Sequence, residues 1–104
     1  MDGDTHFTTT GPVWIWRAAN PDTPAAWHFM TVDGQTSAEI RYATLGRTGG
    51  FGSVKVTARI GETVWRTSLF PSKELGGFLL PVKADVRKRE GIVAGQDVTV
   101  ELEV

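Results

Sequence analysis

Residues 77–104 read GFLLPVKADVRKREGIVAGQDVTVELEV, and this stretch decides the fold. Phe78-Leu79-Leu80 is a short apolar run stopped by Pro81, the pattern of a brief strand. The segment from Lys83 to Glu90 fits a two-turn helix closed by Gly91, a residue that reverses the backbone without steric cost. Val86 follows Val82 by one turn, so the two point the same way. Gly95-Gln96 turns the chain, and Val98, Val100, Leu102 and Val104 then alternate with Thr99, Glu101 and Glu103. A period of two places one face of this last strand in a core and the other in water.

The same period occurs upstream, where Val54, Val56, Ala58 and Ile60 alternate with Lys55, Thr57 and Arg59. Gly61-Glu62 separates that strand from Thr63-Val64-Trp65-Arg66-Thr67-Ser68-Leu69, and a two-residue loop with glycine first predicts a hairpin. Phe70-Pro71-Ser72-Lys73 breaks the pattern and leads through Gly76-Gly77. Earlier still, Val13 to Arg17 reads as a first strand entered after Gly11-Pro12, and Trp27 to Val32 as a second. Asn20-Pro21-Asp22-Thr23-Pro24 between them is a turn-forming loop. Thr36-Ser37-Ala38-Glu39 has capping-box spacing and predicts a helix over 37–44, ending at Leu45-Gly46.

Six strands and one or two short helices leave no room for the long crossover helices of a parallel sheet. The expected fold is therefore mainly all-β, a small closed or nearly closed six-stranded barrel, since closure removes sheet edges. Residues 1–10 are expected to fray, and residues 11–104 to form a single domain. A chain of 104 residues buries only about two-thirds of its unfolded surface, so nearly every large apolar side chain is needed inside. With 40% hydrophobic residues, 22% charged and a net charge of −1, it is neither disordered nor a polycation suited to nucleic acid. The lack of cysteine removes disulfides, thiolate metal sites and thiol nucleophiles together. The start, Met1-Asp2-Gly3-Asp4-Thr5-His6, is polar and acidic without an export signal, and no apolar stretch approaches the ~18 residues of a membrane span. Cytoplasm is the expected compartment, with no membrane partner.

Several motifs in order carry a family resemblance: Trp27-x-Phe29, Gly50-Phe51-Gly52-Ser53-Val54-Lys55-Val56-Thr57-Ala58, and Trp65 to Pro71. Leu80-Pro81-Val82-Lys83, Val86-Arg87-Lys88 and Gly91-Ile92-x-x-Gly95-x-x-Val98 complete it. Across about three-quarters of its length the chain resembles the bacterial domain of unknown function family 1905. That resemblance implies a double-split β-barrel, no established activity, and an association with bacteriocin protection through a C-terminal segment not seen here up to Val104. Within it, Leu80-Pro81, the helix holding Arg87-Lys88 and the last strand are similar to the half-barrel of AbrB-type swapped-hairpin regulators, where two chains interlock on DNA. Here one chain is expected to supply both halves, the first echoing the second where the strand ending at Val32 leads into Ile40 and Arg41.

Between Lys83 and Arg89 four cations, Lys83, Arg87, Lys88 and Arg89, stand against the single acid Asp85, with Lys83 and Arg87 four apart on one helix face. Such a pair can hold a phosphate or carboxylate, the arginine as a planar fork and the lysine as a point charge. Arg66 and Ser68 from the hairpin are expected to complete a ligand-binding pocket beneath them. The competing reading is a solvated face in which Asp85 and Arg89 pair along the helix. Gly49-Gly50-Phe51-Gly52 follows a helix and enters a strand, the reverse of a phosphate loop, and reads as a connector. His6 and His28 lack a metal spacing, and Trp14, Trp16, Trp27 and Trp65 are assigned mostly to the core, although they could stack on bases or sugars. Ser68 has no histidine near it in sequence, so no catalytic residue, metal or cofactor is expected.

The reading that results is a non-catalytic barrel binding a small anionic ligand or a protein partner through Arg66, Ser68, Lys83 and Arg87. Its alternatives are an AbrB-like nucleic-acid-binding barrel, disfavoured by the overall acidity, or an accessory protein of stress or bacteriocin protection. A duplicated half-barrel favours a monomer, whereas exposed tryptophans would favour a dimer.

Overall fold

The computed structural model describes residues 5–17, 26–46 and 52–104. The 20–24 turn and glycines 49 and 50 of the glycine-rich connector lie outside those residues. Eight elements follow in order: β1 (His6–Arg17), β2 (Ala26–Thr31), α1 (Gly34–Ala43), β3 (Val54–Ile60), β4 (Thr63–Ser72), β5 (Gly77–Pro81), α2 (Ala84–Glu90) and β6 (Asp97–Glu103). The strands close into a barrel in the order β1-β2-β5-β4-β3-β6, every pairing antiparallel. Among the described residues, no helix is long and apolar enough to cross a membrane.

Each of the two longest strands splits its pairing. In β1, residues 6–12 pair with β6 and 13–17 with β2, while in β4 residues 63–69 pair with β3 and 70–72 with β5. This double split corrects two expectations. Residues 6–10 are not frayed but form half of β1, because the apolar face of β6 needs a partner and the β-branched run Thr8-Thr9-Thr10 supplies one. Nor does the strand end before Pro71, since the β3 ladder stops at Leu69 and a missing backbone donor beyond it leaves no β3 acceptor unserved.

The chain runs the same course twice, long strand, short strand, helix, strand, and exchanging the halves swaps β1–β2 with β4–β5 and β1–β6 with β3–β4, while β2–β5 and β3–β6 map onto themselves. The Val32 amide donates to the Phe78 carbonyl at 2.8 Å and the Val82 amide to the His28 carbonyl at 2.9 Å, equivalent bonds on either side of the β2–β5 ladder. Inside, Val54, Val56, Ala58, Ile60, Val98, Val100 and Leu102 line the barrel as their period of two requires. Val82 and Val86 are buried together, and Gly91 closes α2 at φ 65°.

Helix α1 starts three residues earlier than the capping-box spacing suggests. Asp33 caps it, one carboxylate oxygen accepting from the Thr36 amide at 2.9 Å and the other from the Thr9 hydroxyl at 3.0 Å. Ser37 is instead fully buried, donating to the Val32 carbonyl at 3.1 Å and accepting from the Phe78 amide at 3.0 Å. It therefore ties α1 to one end of the β2–β5 ladder, and α2 begins at the other.

Candidate functional site

The bond from the Val82 amide to the His28 carbonyl draws the end of β5 against β2 and fixes where α2 begins. Lys83 is the residue before that helix, exposed and making no side-chain cap bond. One turn on, Arg87 is half-buried and donates through Nε to the Val82 carbonyl at 3.2 Å, which aims its guanidinium back along the strand end. Lys83 and Arg87 thus share one depression of about 250 Å³ with Trp27, His28, Val82 and Ala84.

Electrostatics in this depression run one way. Neither side chain forms a salt bridge with a carboxylate among the described residues, and no acid lines the space. The expected Asp85–Arg89 pair is absent there too, Asp85 accepting instead from the neighbouring Val86 amide at 3.1 Å. His28 has its Nδ1 buried without a hydrogen-bond partner. Burial, then the positive charges of Arg87 and Arg17, hold its imidazole below the ordinary value of 6.5, so the ring favours its neutral form. The site is a small concavity rich in fixed positive charge, with no hydroxyl or thiol to act as a nucleophile.

Arg66 and Ser68 are not part of it. Arg66 is exposed on β4 opposite Thr57, and Ser68 is half-buried opposite Lys55, and neither lines the depression. The convergence joins Lys83 and Arg87 to β2 rather than to the β3–β4 hairpin. His28, which lacks a metal spacing in the sequence, and Trp27, expected in the core, complete it. Alternation along β2 carried the signal: His28 pairs with Ile15 and Met30 with Val13 on the inner face, leaving Trp27 and Phe29 on the outer one.

That outer face overturns the expectation for the tryptophans. Only Trp65 is buried, whereas Trp16 is 48% and Trp27 54% exposed and Trp14 is half-buried. Trp14, Trp16, Trp27, Phe29 and Leu79 line a groove of about 380 Å³ across β1, β2 and β5. A larger cavity of about 740 Å³ between the start of β1 and α1 holds one acid, Glu39, and His6, which is already engaged by Glu103 at 3.0 Å. Among the described residues no group of three histidine or carboxylate side chains could hold a metal.

Compared with known protein families, residues 10–102 match a model described as Domain of unknown function (DUF1905). No curated protein matches the chain.

Proposed function

Since the chain belongs to the DUF1905 family, whose description assigns no activity, its function must be argued from its own geometry, and we propose that it is a non-catalytic binding barrel for a small anion. The site is the depression beside α2, with Lys83 and Arg87 as the charged ligands to a phosphate or carboxylate group. One observation carries this reading: two cations converge on a concavity with no acid in its lining, beside a histidine already disfavoured from taking a third positive charge. Like charges held together without a counter-charge cost free energy that a bound anion recovers.

Thermal unfolding tests the reading, with inorganic phosphate, sulfate and small carboxylates added at matched ionic strength so that general screening cancels. At a hundred times Kd a bound anion stabilises by about 2.7 kcal/mol, which raises Tm by roughly 10–20 °C in a domain of this size. Lys83→Ala and Arg87→Ala should each abolish that response, while Arg66→Ala and Ser68→Ala, outside the depression, should keep it. An absent anion response, or one that survives loss of both Lys83 and Arg87, contradicts the proposal.

A further inference from the structure

The cationic depression and the tryptophan groove share a wall. Trp27 lines both, with His28, Lys83 and Arg87 on one side of it and Trp14, Trp16, Phe29 and Leu79 on the other. Trp16 and Trp27 are direct cross-strand partners, so two indoles, each about half exposed, stand side by side on a hydrogen-bonded ladder. Their neighbour Trp14 is held in place, its Nε1 donating to the Thr31 hydroxyl at 2.9 Å and its ring lying 5.4 Å from that of Phe29. Indoles fixed by strand backbones form a preorganised surface, and contiguous exposed apolar patches on small domains mark binding sites.

We infer that the two concavities form one composite site for a nucleoside phosphate, its base stacked in the groove at Trp16 and Trp27 and its phosphate held by Lys83 and Arg87. This rests on the anion-binding reading and names the rest of the ligand. Every base has a π-face for an indole to meet, and stacking of this kind raises affinity roughly five- to a hundredfold per base. The two volumes, about 380 Å³ and 250 Å³, together lie within the about 300–1,000 Å³ of small-ligand pockets.

Charge decides between occupants. Arg17 lines neither concavity but pairs across β1–β2 with Ala26 of the depression's lining, which sets a further cation at its margin beside Lys83 and Arg87, and neither concavity contains an acid. A second copy of the chain seated on the groove would bring the same cations to the interface without a countercharge. Three cations neutralise only a few phosphates, and the net charge of −1 opposes a long strand, so a mononucleotide or a very short oligonucleotide suits the site.

The experiment titrates adenosine 5′-monophosphate, adenosine, inorganic phosphate and a ten-nucleotide single strand into the intact chain, following tryptophan fluorescence and calorimetry. The monophosphate should bind at least tenfold more tightly than phosphate or adenosine. Trp16→Leu, in the groove but outside the depression, should erase most of that advantage while leaving phosphate affinity unchanged, Trp16→Phe should keep much of it, and Arg87→Ala should remove phosphate and monophosphate binding together. The ten-nucleotide strand should gain less than about tenfold over the monophosphate, with a salt slope of no more than about three phosphates.

If phosphate binds but the monophosphate binds no better, the composite site is refuted while the anion site stands. If neither binds, both fail. Adenosine binding as well as its monophosphate, a strand whose salt slope exceeds about four phosphates, or a dimer in sedimentation that shields the tryptophans from ligand would each overturn the inference.

Discussion

Gly77 provides the most stringent test of how the end of the β2–β5 ladder opposite the candidate site is held. A methyl group added there would sit 2.7 Å from the Ser37 hydroxyl and 2.8 Å from the Val32 carbonyl oxygen. Neither neighbour can yield freely, because Ser37 is fully buried and bridges the Val32 carbonyl and the Phe78 amide, and the Val32 amide is itself bonded to Phe78. Gly77→Ala should therefore cost about 2 kcal/mol for overpacking and about 2 kcal/mol for the stranded Phe78 amide, about 4 kcal/mol in all. Ser37→Ala alone should cost about 2 kcal/mol, since it strands the same amide without a clash. The double variant should then cost about 4 kcal/mol rather than the summed 6, a coupling of about 2 kcal/mol between residues in contact. Urea unfolding followed by circular dichroism measures all three. A Gly77→Ala variant within about 0.5 kcal/mol of the parent, or strictly additive single costs, would refute the argument.

Acid should destabilise the fold in two separable windows. His28 has a folded pKa below 6.5, so the unfolded chain binds the extra proton first and stability falls as pH drops below about 6.5; His28→Leu should flatten that part of the profile in urea titrations from pH 8 to 5. Asp33 is held below its ordinary 3.8 chiefly by the Thr36 amide, so its stabilisation is present above that value and is lost as pH falls beneath it, a loss that Asp33→Ala should remove. At neutral pH Asp33→Ala should also cost about 1 kcal/mol as a lost helix cap, with Asp33→Asn close to the parent. At the β3–β4 turn, Gly61 has φ 58° and an added methyl would collide with Glu90 Oε1, while the other carboxylate oxygen, Oε2, accepts from the Thr63 hydroxyl. Gly61→Ala should lower Tm by several degrees, and Glu90→Ala should relieve only the contact and not the backbone strain.

Most of the barrel was legible because its strands obey one period and glycines sit where the backbone reverses. Val54 to Ile60 and Val98 to Leu102 face inward as alternation demands, and Gly61 and Gly91 adopt positive φ at the expected turns. What local pattern could not reveal was partner exchange. Gly11-Pro12 and Phe70-Pro71 look like strand boundaries, but each lies near the point where a long strand passes from one neighbour to another, and that depends on residues far away in sequence. Capping was misplaced for a related reason: Thr36 to Glu39 has the right spacing, but Asp33 is reinforced by Thr9 from β1 and wins. The candidate site was half legible, since Lys83 and Arg87 are one helical turn apart and needed no topology to be paired. Their companions required the β2–β5 ladder, which brings Trp27 and His28 to α2 and leaves Arg66 and Ser68 elsewhere.

Chemical-shift mapping with inorganic phosphate on uniformly 15N-labelled protein tests the anion site most directly. Saturable shifts are expected only at the amides of residues 26–28 and 82–87 and at the Arg87 Nε–H, with β4 around Arg66 and Ser68 unmoved. Shifts centred on Arg66 and Ser68, or none at millimolar phosphate, would contradict it.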